Sequence, residues 1–209
     1  MSRCVVVAAG PYSDAAKLSR LVSSDDLVIA ADAGWQLAKD LKLQPKKLVA
    51  DFDSMPIPDL PRCVEVVQLP AKKDDTDTAV AMREGYEDGC RSFLLLGCTG
   101  GRLDHYYATL TVAAQYAVKG CEVVIADEQN VIRVLTAGQY AFPSTPGDTV
   151  SMFAFGGDVT NLSFDGLEYE KSQFRLSPLN PLCVSNTALE DVFRVSFGSG
   201  ILLLHFSKD

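Results

Sequence analysis

The chain has 209 residues, 47% of them hydrophobic and 22% charged, enough apolar material for one large domain or two small ones. Its net charge of −8 argues against a nucleic-acid surface, because phosphate backbones select basic patches. A nucleotide remains open, since a metal ion can stand between acidic protein and acidic ligand.

Six scattered cysteines without CxxC spacing, and only two histidines (His105 and His205), speak against a zinc site. Most of the cysteines lie in or beside apolar runs, which reads as reduced thiols in a cytoplasmic protein. The first apolar run is too short for a signal-peptide core, and no run approaches membrane-spanning length.

In chain order, Cys4–Ala9, Leu27–Ala31, Lys47–Ala50, Val64–Leu69, Ser92–Gly97 and Glu122–Ala126 read as buried strands. They are rich in Val, Ile and Leu on both faces and bounded by Gly, Pro or Asp, as parallel strands covered on both sides are. Helical patterns lie between them. Gly34–Leu43 stops before Pro45, and Thr76–Asp88 sets Ala79, Met82 and Tyr86 on one stripe before Gly89. Leu103–Lys119 spaces Leu103, Tyr107, Leu110 and Ala114 along one face and ends at Gly120, a good C-cap position. This alternation predicts an α/β fold with an open, mostly parallel sheet and flanking helices.

The pattern changes near Val131–Gly138. Short strand-like runs follow, Thr149–Phe155, Val159–Phe164, Phe193–Phe197 and Ile201–Phe206, separated by GG, DG, PLNP and GSG turns. They predict a small antiparallel β-sandwich, with domains at 1–135 and 136–209.

Three segments carry chemistry. Asp51-Phe52-Asp53 follows the strand LVA; if the chain stays extended there, both carboxylates face one spot and Phe52 turns to the core, with Ser54 close by. Lys72-Lys73-Asp74-Asp75-Thr76-Asp77 precedes a helix that Asp75 or Thr76 can cap, and acidic side chains there complement the helix dipole. Gly97-Cys98-Thr99-Gly100-Gly101-Arg102-Leu103-Asp104-His105 joins a buried strand to a long helix. Its glycines admit a ligand to the backbone, and Arg102 can fork onto phosphate oxygens. Alone, the first two segments read equally well as a solvated turn or a capped helix, whereas the apolar strand before the third and the long helix after it favour a site over a surface Arg–Asp pair. Together with Asp32, which follows LVIAA, they place acidic turns at the same edge of a parallel sheet four times. A metal–nucleotide site accounts for that.

Taken in order, ADAGW…LKLQPKKLVADFDS, KDDTD, GCTGGRLDH and Val184-Ser185-Asn186 resemble the motifs of the thiamine pyrophosphokinase family, from the second strand to the last hairpin. The resemblance implies transfer of a diphosphate from ATP to the hydroxyl of thiamine, with AMP released. It also implies a nucleotide-binding α/β domain, a thiamine-binding β-sandwich, a Mg²⁺ requirement and a homodimer with an active site shared between subunits. By motif, Asp51, Asp53 and Asp77 would hold Mg²⁺. Asp32, Ser54 and Thr76, with Thr99, Gly100 and Arg102 of the TGGRxD turn, would line the nucleotide site. Asp77, Arg102 and Asp104 would act on the transferring phosphates and substrate hydroxyl, with Asp104 or Asp77 taking its proton. Ser185 and Asn186 would help hold thiamine.

Two departures stand out: Ala50 replaces the family's usual glycine before DFDS, and Trp35 takes the place of a smaller residue, which reads as core. No aromatic close after Asn186 offers itself to the thiamine pyrimidine, leaving Phe153, Phe155 or a partner subunit. The rival readings are a diphosphokinase for another alcohol, such as a hydroxymethylpterin, and a non-catalytic nucleotide or thiamine sensor.

Overall fold

The apolar runs become strands in the computed structural model, which describes residues 2–52, 60–69 and 75–208. The chain divides into two units, residues 1–128 and 129–209. That division falls slightly ahead of the expected boundary at 135, because Val131–Leu135 opens a long strand of the second unit.

The first unit runs β1 (Cys4–Val7), α1 (Ala15–Ser19), β2 (Leu27–Ala31), α2 (Gly34–Asp40), β3 (Lys47–Ala50) and β4 (Glu65–Gln68). It continues through α3 (Asp77–Glu87), β5 (Ser92–Leu96), α4 (Leu103–Val118) and β6 (Glu122–Ala126). All six strands are parallel, in the order β4-β3-β2-β1-β5-β6. β1, at the centre, pairs Val5 with Val28 on one side and Leu94 on the other. Its four residues are fully buried, as a strand with sheet on both edges and helices on both faces requires.

Two local expectations need correction, and one helix was not expected. β4 is not buried on both faces: it lies at the sheet edge with Val66 exposed. The face expected of α4 is only half right. The helix buries Thr109, Leu110, Ala113, Ala114, Tyr116 and Ala117, whereas Leu103 is 74% and Tyr107 64% exposed. Residues 100–105 are exposed together, so the first turn has no sheet to pack on whatever its periodicity. The five-residue α1 escapes a periodicity reading because it is too short to show a period. Its N-cap is Asp14, whose side chain accepts from Lys17 N.

The second unit contains β7 (Asn130–Pro143), β8 (Thr149–Asp165), β9 (Lys171–Leu176), β10 (Cys183–Thr187) and β11 (Val192–Ser207). They form an antiparallel sheet in the order β10-β8-β11-β7, with β9 also on β8. The expected pairs of short runs fuse into two long strands, β8 and β11. The GG and GSG segments make bulges rather than turns: the register shifts between Ser199 and Ile201, and Gly156 and Gly200 take positive φ. The bent strands share one core. Val150 and Met152 from the first half of β8 join Leu162 and Phe164 from its second half, with Phe193, Val195, Leu202 and Leu204 of β11.

Candidate active site

Parallel strands deliver the loops after their C-terminal ends to one edge of the sheet. In this order β1 and β5 are neighbours, but the chain leaves β1 toward β2 on one side and β5 toward β6 on the other. The chain runs to opposite sides of the sheet after these two strands, and a crevice opens at that point. A cleft of about 360 Å³ lies there, lined by Ala8, Ala9, Gly10, Pro11, Ala31, Asp32, Thr76, Asp77, Thr78, Gly97, Cys98, Gly100, Gly101, Arg102, His105 and Thr109.

The floor is backbone against backbone. Ala8 N donates to Leu96 O at 2.8 Å and Gly10 N to Gly97 O at 2.7 Å. A Cβ on Gly10 would stand 2.4 Å from Gly97 O, so no other residue fits. Asp32 adopts φ +50° where the chain turns from β2 into α2, and its N–H donates to Val49 O at 2.8 Å. Aspartate tolerates this left-handed conformation better than most side chains.

α3 carries the crossover from β4 back to β5. Thr76 is its N-cap, accepting from Ala79 N at 3.2 Å, and Asp77 is its first residue, at the positive end of the helix. Asp75 is instead paired with Arg83 at 2.8 Å. Arg102 forks onto Asp104, Nε to Oδ1 at 3.2 Å and Nη2 to Oδ2 at 2.6 Å, and His105 N donates to the same carboxylate. The guanidinium, helped by that N–H, holds the Asp104 carboxyl at about 2.

The structure thus gathers Asp32, Thr76, Asp77, Gly100 and Arg102 of the expected set. His105, in the first turn of α4, joins them. Asp51 follows β3 and is half-buried, Thr99 is half-buried and Asp104 turns to Arg102; none of the three is among the cleft-lining residues. Asp53, Ser54 and the Lys72-Lys73-Asp74 run lie outside the described residues. Among the described residues, no three His, Cys, Asp or Glu side chains gather as a metal site.

The extended Asp51-Phe52-Asp53 segment is also corrected: Phe52 takes φ +59°. Its ring still packs on the cluster of Ala30, Trp35, Leu48 and Ala50, the side expected of it. Ala50 and Trp35, the two departures, are both buried in that cluster.

In the second unit, Ser185 sits on a bulge of β10 at φ +55°, exposed, with its N–H on Ser151 Oγ at 2.9 Å. Asn186 is 5% exposed and its amide is committed: Oδ1 accepts from Tyr169 N and Thr187 N, and Nδ2 donates to Tyr169 O at 2.8 Å. What it presents is Tyr169, held by its backbone, the residue as a whole 64% exposed.

Two features escaped the sequence. Ala8 and Ala9 were read only as the end of a strand, and Gly10 and Pro11 were not read at all; the Gly10-Pro11 pair was the available signal. Tyr169 lies in an irregular stretch, and nothing in its spacing ties it to Asn186.

Comparison with known proteins agrees with this geometry. The family described as "Thiamin pyrophosphokinase, catalytic domain" matches residues 18–125, more than half of the chain, and "Thiamin pyrophosphokinase, vitamin B1 binding domain" matches residues 135–202. The chain is 25% identical over 209 residues to thiamine pyrophosphokinase of Bacillus subtilis (strain 168), covering 98% of each. The crystal structure of thiamine pyrophosphokinase from Bacillus subtilis superimposes with a TM-score of 0.88 at 25% identity, covering 100% of both chains. That of Geobacillus thermodenitrificans gives 0.84 at 28% identity, covering 100% of this chain and 98% of the other. With catalytic and vitamin-binding family matches falling on its successive parts, the chain belongs to the thiamin pyrophosphokinase family.

Proposed function

We infer that the protein transfers the terminal diphosphate of ATP to the hydroxyl of thiamine, giving thiamine diphosphate and AMP. One observation carries this reading: in a chain of this family, Asp32, Asp77 and Arg102 share the β1/β5 cleft with a glycine turn. Triphosphate binding needs backbone approach, a cationic fork and carboxylates for a metal, and those residues supply all three.

The chain's own groups divide the work. The Gly97–Gly101 turn lets phosphate oxygens approach the backbone. Arg102 exchanges Asp104 for phosphate oxygens as ATP enters; the pair is exposed, so opening it costs little. Once Arg102 turns to the phosphates, the Asp104 carboxylate is released from it, and Asp104 or Asp77 takes the proton of the thiamine hydroxyl. Asp51, Asp53 and Asp77 offer only hard oxygen donors, a set that suits Mg²⁺ rather than a softer metal. Such an ion, when bound, offsets the charge that builds on the phosphates.

For thiamine, residues 136–209 provide the recognition surface in this proposal. The ring of the exposed Tyr169 stacks on the pyrimidine, Ser185 offers its hydroxyl, and Asn186 is a positioning residue that fixes Tyr169. We extend the proposal to a homodimer with sites shared between subunits, working in a reducing cytoplasm, where the six free cysteines would persist. Among the described residues, no helix is long and apolar enough to cross a membrane.

Incubation with ATP, Mg²⁺ and thiamine, followed by chromatography, tests the reaction. AMP with thiamine diphosphate is expected; ADP as product, or turnover only with a pterin alcohol, rejects it, and binding without turnover indicates a sensor. Asp77→Asn is expected to abolish turnover with the circular dichroism spectrum unchanged. Full activity in that variant would remove Asp77 from the machinery.

A further inference from the structure

We propose that Glu128 is a positioning residue for the nucleotide site, acting through the β1–α1 loop as a latch on the glycine–arginine turn; this rests on the diphosphokinase reading above. Glu128 lies past the end of β6 and is far in sequence from every motif of the cleft. Its Oε1 nevertheless accepts from Ser13 N at 2.5 Å and Asp14 N at 3.0 Å, with Ser13 Oγ at 3.4 Å. Burial alone would raise its carboxyl. The N–H groups of Asp14 and Ser13 outweigh that and hold it below the ordinary carboxylate range, so the charged form makes the contact.

The loop it grips is tied at almost every step. Ala8 and Gly10 donate to Leu96 O and Gly97 O, and the Tyr12 hydroxyl donates to Asp40 of α2. Between those ties, Pro11 lies on the turn that precedes Arg102. A Cβ on Gly100 would stand 3.0 Å from Pro11 Cγ, and one on Gly101 3.4 Å from Pro11 Cδ. The Pro11 ring therefore occupies the space that side chains at 100 and 101 would need. Gly100 and Gly101 both hold positive φ, a conformation that glycine leaves readily unless something holds it. Pro11 is that restraint, and Glu128 fixes the two residues that follow Tyr12.

The consequence is specific to one substrate. Release of Glu128 frees Pro11, loosens Gly100–Gly101 and blurs the direction of Arg102, which meets the phosphates. Thiamine recognition, on residues of the second unit, does not depend on this loop.

Steady-state kinetics of Glu128→Ala, with Glu128→Gln beside it, tests the latch. Alanine is expected to raise KM for ATP, and so lower kcat/KM for ATP, about tenfold or more with kcat little changed, since small misplacements of positioning groups act at that scale. KM for thiamine and the secondary-structure spectrum should stay unchanged. Glutamine keeps the acceptor oxygen without the charge and is expected to fall between alanine and wild type. An unaltered KM for ATP, or equal losses for both substrates, overturns the proposal. Tighter ATP binding in both variants also overturns it, because that is what removing a negative charge near the phosphates would do by itself.

If the alanine variant does not fold, Pro11→Gly is expected to give the same ATP-selective loss, and wild-type kinetics there reject the latch. Calorimetric titration with MgATP alone keeps the two readings apart. A wild-type protein that binds MgATP but makes no thiamine diphosphate would sink the reaction, while the affinity ratio of wild type to Glu128→Ala would still decide the latch.

Discussion

The imidazole of His205 packs edge-on against Phe153, ring centroids 5.2 Å apart, and its Nε2 meets no hydrogen-bond partner among the described residues. Burial pushes its pKa down to about 4 from an ordinary 6.5. Between those values the unfolded chain binds a proton that the folded chain refuses, so stability falls as pH drops from 6.5 and levels off below 4. The total is on the order of 3 kcal/mol. Urea titrations at pH 7 and pH 4.5 should show this loss, and His205→Leu should reduce it sharply. An equal loss in both proteins would assign the acid sensitivity elsewhere. At this same scale, the identity of the cleft residues was legible: Asp32, Asp77 and Arg102 stood out as charged groups in the turns that lead from strands into helices. The destination of each side chain was not. Asn186 read as a ligand contact, yet its amide is spent on the backbone of Tyr169, a partner set by chain folding and not by spacing.

Elements matter here chiefly through what their ends touch. The loops after β1 and β5 meet without side chains between them, and Gly10 is where they meet. Gly10→Ala puts a methyl 2.4 Å from Gly97 O, a backbone atom that cannot swing aside. The expected cost is about 1–3 kcal/mol of stability with loss of ATP turnover, read by thermal unfolding and product assay. A variant with wild-type values for both would show that the loops can part. Core strands were legible because both faces of β1, β2, β3 and β5 are covered, which leaves unbroken apolar runs. β4 misled for an energetic reason: an edge strand needs little burial, and Val66 and Val67 imitate a core run. α4 misled by its length, since its periodicity continues past the sheet that gives it a face. The glycines of β8 and β11 misled because a bulge and a turn draw on the same residue.

For the whole molecule, the proposed dimer makes a quantitative prediction. Asp77→Asn disables the ATP side and Tyr169→Ala the thiamine side, so each homodimer is inactive. If every site takes the two parts from different subunits, a mixed dimer holds one fully intact site and one doubly damaged site. Re-equilibrated mixtures should recover about a quarter of wild-type turnover. No recovery, with light scattering showing mixed dimers, would place each site within one chain.

The sequence by itself determined the α/β character, a change to antiparallel strands near residue 135, and the family, because hydrophobic periodicity and ordered motifs are local and survive without coordinates. It also determined which acidic turns share one edge, since parallel strands leave no other place for them. Only the tertiary structure decided that β1 and β5 are neighbours. That adjacency opens the crevice, brings Ala8–Pro11 into the cleft, lays Pro11 on Gly100–Gly101 and sets Glu128 beside Ser13. Strand order depends on long-range pairing energies that no local pattern encodes, so the residues it recruits are visible only once the chain has folded.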